Sequence, residues 1–291
     1  MAATVQLRPA HSVDIRGATL RAIYIIWYRD VLRYWRDRMR LVASLAQPLL
    51  FLIVFGTGLS SSLRGIGGGL GNGAGPSINY VQFIFPGIIG MAVLFTSIFS
   101  AMSIVWDREF GFLKEVLVAP IDRSAIAVGK ALGGSTQAMV QGVIILALAP
   151  FIGVTLTPLA VLALIPLIFV LAFALTSMGV ALATGLKTMQ GFQAVINFLM
   201  MPIFFLSGAL FPLNNLPNWM TVLTRIDPAG YGIDPIRRVI LGASGLPSSL
   251  TDSLGLAFNG RPLSMLDEVG IVLGFGLVML AIAIWSLRRP A

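Results

Sequence analysis

Residues 131–186 read ALGGSTQAMVQGVIILALAPFIGVTLTPLAVLALIPLIFVLAFALTSMGVALATGL, which is 56 consecutive positions without Asp, Glu, Lys, Arg or His. A helix needs about 20 apolar residues to cross a bilayer core of about 30 Å. The stretch is therefore long enough for two crossings, and the turn residues between Gly153 and Pro158 separate them. Because a water-soluble domain cannot expose so long an uncharged segment, we predict a membrane protein that crosses the bilayer several times.

The composition of the whole chain supports the same assignment. Of the 291 residues, 57% are apolar and 11% are charged, and the mean hydropathy is +0.89. An average soluble domain has about 25% charged residues. So few polar side chains cannot cover a globular surface, and lipid must solvate much of it. The chain has no cysteine, which excludes disulfide scaffolds, thiolate metal sites and cysteine nucleophiles.

Four more windows lack charged residues, namely 41–63, 65–106, 188–224 and 269–287. Each of them can hold at least one crossing. We therefore predict an all-α membrane protein in which residues 41–291 form one domain of six transmembrane helices. The predicted helices are 41–59, 80–105, 131–152, 159–185, 191–211 and 269–287.

Lysine and arginine are distributed unequally over the two sides that six crossings create. With the N-terminus in the cytoplasm, 15 of the 20 basic residues fall on the inner side. This asymmetry predicts that both termini are cytoplasmic. It also accounts for the net charge of +8, so the basic character does not indicate nucleic-acid binding. The arginine-rich first 40 residues lack the uninterrupted apolar core of a cleavable signal peptide.

The N-terminal region divides into a polar cytoplasmic arm, residues 1–16, and a predicted amphipathic helix, residues 17–40. Apolar residues and arginines recur at helical spacing on opposite faces of this helix. It is expected to lie in the inner headgroup layer, either as an elbow that leads into the first crossing or as an ordinary juxtamembrane anchor. One face carries Leu20, Ile23, Tyr24, Trp27, Val31 and Tyr34, and the other carries Arg29, Arg33, Arg36 and Arg40.

No ionisable residue lies within the six predicted crossings. Ion-coupled carriers keep such a group at membrane depth despite its cost, because it carries the proton or cation. Intramembrane proteases and metalloenzymes need paired carboxylates or histidine clusters in the same place. The sequence therefore argues against these classes and leaves an uncoupled channel or scaffold, or a transporter that receives energy from another protein.

The cytoplasmic loop between the second and third crossings, residues 107–130, is where such energy would enter. Residues 107–123 read DREFGFLKEVLVAPIDR. An apolar stripe that includes Phe112, Leu113 and Leu117 is flanked by charges, and Pro120 ends it. This pattern is typical of a short helix that docks into a groove of a partner protein. A loop that lies on the membrane surface is the alternative for this segment taken alone.

Two segments carry a resemblance to a known family. The first contains Arg108-Glu109, Gly111, Leu113, Leu117, Pro120, Arg123 and Gly129-Lys130, and the second contains 201–213 (MPIFFLSGALFPL), Leu216-Pro217-Asn218-Trp219, Asp227-Pro228 and Asp234-Pro235-Ile236-Arg237. They resemble the type-2 permeases of ATP-binding-cassette exporters, closest to the daunorubicin-resistance-type subgroup. Together with the elbow and the six crossings, the resemblance covers nearly the whole chain. Asp227 stands where Asn is frequent in that family.

The resemblance implies a permease subunit in the cytoplasmic membrane of a prokaryote. Two copies of this chain, or one copy and a related permease, would pair with two copies of a separate ATPase. That ATPase would bind ATP and Mg²⁺. This chain contains no Gly-x-x-x-x-Gly-Lys-Ser/Thr motif with which to bind a nucleotide itself, and the resemblance implies no cofactor or metal in it. The ATPase-docking residues would be Arg108, Glu109, Gly111, Phe112, Leu113, Leu117, Pro120 and Arg123.

The resemblance also implies that the second and fifth crossings line the transport route. The candidates on these two helices are Phe95, Phe99, Asn197, Met201, Phe204 and Phe205. Aromatic and methionine side chains form a deformable contact surface for hydrophobic drugs, lipids or lipid-like cargo. For any single one of them, contact with lipid or with a neighbouring helix is the simpler interpretation. Export of a lipid-linked polysaccharide or glycolipid is the alternative cargo class.

The outer segment 212–268 is too short for a separate domain and too apolar for a free loop. Residues 218–224 and 233–241 are predicted to form two short re-entrant or interfacial helices, joined near Asp227-Pro228, that act as a lid over the exit. Asp234 has the spacing of a helical ion pair with Arg237 or Arg238. We expect a solvated surface pair there unless the segment dips into the membrane.

Overall fold

The computed structural model describes residues 15–65, 80–110, 122–213, 216–245, 255, 257–258 and 261–288. Within these ranges the helices are joined by short turns and irregular connections, and two residues pair with two others as an antiparallel ladder, Ala257–Phe258 with Arg261–Pro262. The helices are α1 Ile15–Arg36, α2 Arg38–Gly65, α3 Tyr80–Ser100, α4 Met102–Glu109, α5 Arg123–Ala147, α6 Pro158–Gly185, α7 Met189–Leu206, α8 Asn218–Ile226, α9 Pro228–Ala243 and α10 Met265–Arg288. The predicted all-α membrane fold is confirmed.

Each predicted crossing coincides with a long helix or, in the second, with α3 and α4 together. In the described part of the chain, four helices are long and apolar enough to span a bilayer, and a fifth span is counted if the bent pair α1–α2 is taken as one. The third predicted crossing, α5, is not among them, because glycine, serine and glutamine interrupt its apolar sequence. Six crossings and two cytoplasmic termini therefore stay predictions.

Helix α1 lies along α5. The two helices run in the same direction, since Gly129 meets Ile26 and, three turns further on, the Tyr34 hydroxyl donates to Oε1 of Gln141 at 2.8 Å. Between these points Nε1 of Trp27 donates to Thr136 at 3.0 Å. Part of the apolar face predicted for α1, namely Trp27 and Tyr34, therefore contacts α5. After Arg36 the chain bends by 71° into α2.

The arginines of α1 whose side chains the structure describes are exposed, as the periodicity predicts. Arg29, Arg33 and Arg36 are exposed. Arg40 belongs to α2, and its side chain lies outside the described part of the structure. The position of α1 relative to the headgroup layer stays a prediction.

The centre of the bundle is α6, which packs against α3, α5, α9 and α10. Small residues allow these close approaches, as they do in membrane helix packing generally. A Cβ atom on Gly134 of α5 would lie 2.6 Å from a methyl carbon of Thr176 and 2.1 Å from the hydroxyl of Ser100. Three helices therefore meet at Gly134, and no larger residue fits there without displacing them.

The outer segment forms two helices joined at Asp227, as predicted, although α9 is longer than expected. Pro228 at the first position of α9 and the side chain of Asp227, which accepts from the amide of Ala229 at 3.0 Å, begin that helix earlier. Helix α9 inserts between spans: Gly232 contacts Leu171 near the middle of α6, and Ile233 contacts Gly90 near the middle of α3. The segment therefore dips into the bundle.

Candidate functional site

The start of the loop 107–130 is attached to the C-terminus of α6. Nη1 of Arg108 donates to the carbonyl oxygens of Thr184 at 2.9 Å and of Leu186 at 3.0 Å. The last carbonyls of a helix have no partner within the helix and carry partial negative charge. Arg108 therefore satisfies the end of α6 and joins it to α4.

Glu109 makes the complementary contact with the next helix. Its Oε2 accepts from the backbone amide of Met189, the first residue of α7, at 2.8 Å. A carboxylate is favourable at a helix N-terminus, where the amides are unpaired and the dipole is positive. The pair Arg108-Glu109 thus holds both sides of the short connection between α6 and α7.

The far end of the loop is attached to α10. Nη1 of Arg123 donates to the carbonyl of Leu287 at 2.9 Å, and Arg288 lies 3.8 Å from the carboxylate of Asp122. Asp122 also caps α5 by accepting from the amide of Ser124 at 2.9 Å, and this hydrogen bond holds the pKa of Asp122 below its usual value. Both ends of the loop are therefore fixed to inner helix ends.

The remaining residues of the docking prediction cannot be placed. Gly111, Phe112, Leu113, Leu117 and Pro120 lie outside the described residues. For the three that are described, the contacts given above are with other helices of the same chain. Docking of this loop on an ATPase stays a prediction.

A buried ion cluster connects α1, α4 and α5 beside the loop. Nζ of Lys130, whose side chain is 4% exposed, lies 3.1 Å from Oδ2 of Asp30 and 3.4 Å from Oδ2 of Asp107. It also contacts the hydroxyl of Ser103 at 2.9 Å, and Arg29 approaches both carboxylates from outside. Sequence reasoning missed this cluster, because the chain separates Asp30 from Lys130 by 100 residues.

The residues predicted to line the transport route lie in three different environments. Phe95 and Phe99 face a cavity of about 510 Å³ between α1, α2, α3, α4 and α5. Asn197, Met201 and Phe205 lie on an exposed face of α7, where Asn197 accepts from Nε2 of Gln193 at 3.2 Å. Phe204 is buried, with its ring 6.0 Å from that of Phe51. Of these six residues only Phe95 and Phe99 line the cavity, and the role of all six in transport stays a prediction.

A second charge cluster corrects the expectation for Asp234. Its carboxylate lies 2.7 Å from Nη2 of Arg238, which also lies 3.2 Å from Glu268 of α10. Arg237 is 1% exposed; it donates to the carbonyl of Gly208 and its guanidinium lies 4.8 Å from the ring centre of Phe83. A solvated surface pair is therefore wrong, because α9 packs between α3, α6 and α10 and carries these side chains into the interior.

Asp227 at the turn between α8 and α9 is a third buried charge site. It lies outside the helices that qualify as membrane spans. Burial raises the pKa of Asp227 to about 8, although its hydrogen bond with Ala229 acts in the opposite direction. The neutral form of this side chain is thus the one that the surroundings favour.

Comparison with known proteins agrees with this architecture. The family model described as ABC-2 type transporter matches residues 21–241. A protein described as a transport permease, ycf38 of Cyanophora paradoxa, is 32% identical over 232 residues, which are 79% of this chain and 78% of the relative. The inner membrane transport permease YadH of Escherichia coli (strain K12) is 26% identical over 242 residues, 81% of this chain and 90% of the relative. Nodulation protein J of Rhizobium leguminosarum bv. trifolii is 26% identical over 227 residues, 77% and 80% of the two chains. With its helical membrane fold, its anchored inner loop and a family match over most of its length, this multi-pass chain belongs to the ABC-2 type transporter family.

Proposed function

We propose that this chain is the membrane-spanning, non-catalytic subunit of an ATP-driven exporter in the cytoplasmic membrane of a prokaryote. Its cargo is a hydrophobic drug, a lipid or a lipid-like compound. A separate ATPase, bound to ATP and Mg²⁺, supplies the energy by docking on residues 107–123. Membership of a family of transport permeases supports the general role in membrane transport. The energy source, the direction and the cargo class are the proposal.

The observation that carries the coupling proposal is the attachment of the inner loop at both ends. Arg108 holds α6, Glu109 holds α7 and Arg123 holds α10. A force applied to residues 111–121 would therefore move the inner ends of three helices together. Rigid-body motion of this kind is how transporters and switches convert a local push into a change between two packed states.

A second copy of the chain is proposed to cover the exposed face of α7. Phe198 is 81% exposed there, and Met201 and Phe205 are exposed beside it. The hydrogen-bonded amides of Gln193 and Asn197 lie on the same helix. Amides are unfavourable against lipid tails but are common at helix interfaces and in wet cavities. This face is therefore better suited to a second permease copy, with the route between the copies, than to lipid.

The test is co-purification with the ATPase, combined with cargo-stimulated ATP turnover. We expect Glu109→Ala to lower ATP turnover in the presence of a lipid or drug by at least tenfold, because alanine offers no acceptor to the amide of Met189 and α7 is no longer held to the loop. The matched control is Asp267→Ala, which truncates an exposed acid at the N-terminal turn of α10.

The rival functions are an uncoupled channel and a membrane scaffold. If the chain purifies without any ATPase, or if the complex forms unchanged after deletion of residues 111–121, the coupling proposal is wrong. Cargo movement into vesicles that contain only this chain would instead favour the channel.

A further inference from the structure

The cavity of about 510 Å³ between α1, α2, α3, α4 and α5 has the size of a small-molecule site, for which 300–1,000 Å³ is usual. It extends along the second span from Trp106, next to the cytoplasmic loop, to Phe95. These positions are eleven residues apart, which corresponds to about 16 Å along a helix. The cavity therefore leads from the predicted inner membrane surface toward the middle of the bilayer.

The cavity lining combines apolar and charged groups at different depths. The rings of Phe95 and Phe99 lie 6.5 Å apart and supply apolar contact surface. The two charged residues of the lining, Arg33 and Asp30, lie toward Trp106 and Ser103, on the side of the cytoplasmic loop. A ligand that uses both kinds of group is an amphiphile, with its charged part near the cytoplasm.

The charge on the side of the cytoplasmic loop specifies the headgroup. Asp30 is neutralised by Lys130, since their side-chain atoms are 3.1 Å apart. Among the described residues Arg33 has no carboxylate within ion-pair distance, and its guanidinium instead lies 6.0 Å from the ring centre of Trp106. Counting only residues whose positions the structure gives, the cavity therefore presents one positive charge, Arg33, without a carboxylate partner.

We propose that this cavity binds an anionic amphiphile from the cytoplasmic leaflet, with its acidic headgroup at Arg33 and its apolar part against Phe95 and Phe99. The site would receive cargo within the exporter, and in that respect the inference rests on the proposed function. Binding itself needs neither the ATPase nor ATP, so it can be tested separately.

Trp106 provides the reporter for the test. The full-length chain is placed in phosphatidylcholine nanodiscs, and brominated phosphatidylglycerol or brominated phosphatidylcholine is added in steps. Quenching specific to Trp106 is the difference between the unchanged chain and Trp106→Phe. We expect half-quenching at a mole fraction of phosphatidylglycerol about fivefold lower than that of phosphatidylcholine, the factor that corresponds to about 1 kcal/mol for one arginine near anionic lipid.

Variants of the arginines on α1 separate the cavity from the general surface charge. Arg33→Gln should reduce the ratio between the two lipids to about one, whereas Arg33→Lys should keep most of it. Arg36→Gln removes the same charge from an exposed position outside the cavity lining and should leave the ratio unchanged. Inorganic phosphate at constant ionic strength should not relieve the quenching.

Three results would overturn the proposal. Equal quenching by both lipids would mean that the headgroup is not recognised. An equal effect of Arg36→Gln and Arg33→Gln would assign the preference to the membrane surface, and relief by phosphate alone would indicate a site for a free anion. If the chain binds the lipid selectively but supports no ATP-driven transport, the cavity proposal stands and the exporter proposal is wrong. If transport occurs but the cavity does not distinguish the two lipids, the exporter proposal stands and the cavity proposal is wrong.

Discussion

Replacing Lys130 with methionine tests whether the buried cluster holds α1 against the bundle. The substitution keeps the length of the side chain but leaves Asp30 and Asp107 without their buried cation. Removing one partner of a buried ion pair costs about 3–5 kcal/mol. Arg29 lies 3.6 Å from Asp30 and is 47% exposed, so it compensates in part. We therefore expect a loss of about 3 kcal/mol, at the lower end of that range.

The assay is thermal unfolding of the purified chain in detergent, followed by tryptophan fluorescence. With about 2–4 °C per kcal/mol for chains of 150–250 residues, the midpoint should fall by roughly 6–12 °C. Lys187→Met, at an exposed position between α6 and α7, is the matched control and should shift it little. The double variant Lys130→Met with Asp30→Asn should recover part of the loss, because the uncompensated carboxylate is removed. If Lys130→Met behaves like Lys187→Met, the cluster does not stabilise the fold and the reasoning is refuted.

Three further predictions concern buried positions elsewhere. The pKa of Asp227 is raised from 3.8 to about 8, so between these pH values the folded chain binds more protons than the unfolded chain, and its stability should fall as the pH rises. Asp227→Asn should flatten the pH dependence of the unfolding midpoint. An unchanged slope would count against this reasoning. Gly134→Val should destabilise the chain by about 2 kcal/mol or more by forcing Thr176 aside, measured as lower yield and a lower midpoint, whereas Gly274→Val, where the added atoms meet nothing, should have little effect. Arg237→Met should destabilise the chain by about 1–3 kcal/mol, because the buried carbonyl of Gly208 loses its donor while Asp234 keeps Arg238 as its nearer cation, and thermal unfolding at the level of the unchanged chain would contradict this.

Much of the architecture could be predicted because the bilayer restricts what a sequence can do. Charge-free windows of about 20 residues must be helices, since lipid offers no hydrogen-bond partner to an open backbone. The helices α6 and α10 accordingly begin within a few residues of their predicted positions. The helices α8 and α9 were also expected, but Asp227-Pro228 was placed in the connection between them, whereas it begins α9.

The site was less accessible to sequence reasoning. Arg108, Glu109 and Arg123 were singled out as contacts for a partner, yet each also closes a helix end of its own chain. The residues in these contacts are 76 to 164 positions apart in the sequence, and helical periodicity predicts contacts only between residues a few positions apart. For the same reason the cluster around Lys130 and the burial of Asp234 could not be read from local spacing.

The sequence by itself determined that the chain is an α-helical membrane protein, where its long helices lie, and that an inner loop with alternating charge and apolar residues interrupts them. These properties depend on whether water or lipid surrounds each segment, and the polarity of consecutive side chains indicates this directly. Only the tertiary structure decided which charges are buried together, where α9 inserts and which helices enclose the cavity at Arg33. Those outcomes depend on distances between segments far apart in the chain, because a buried charge is stable only beside a partner that folding brings to it.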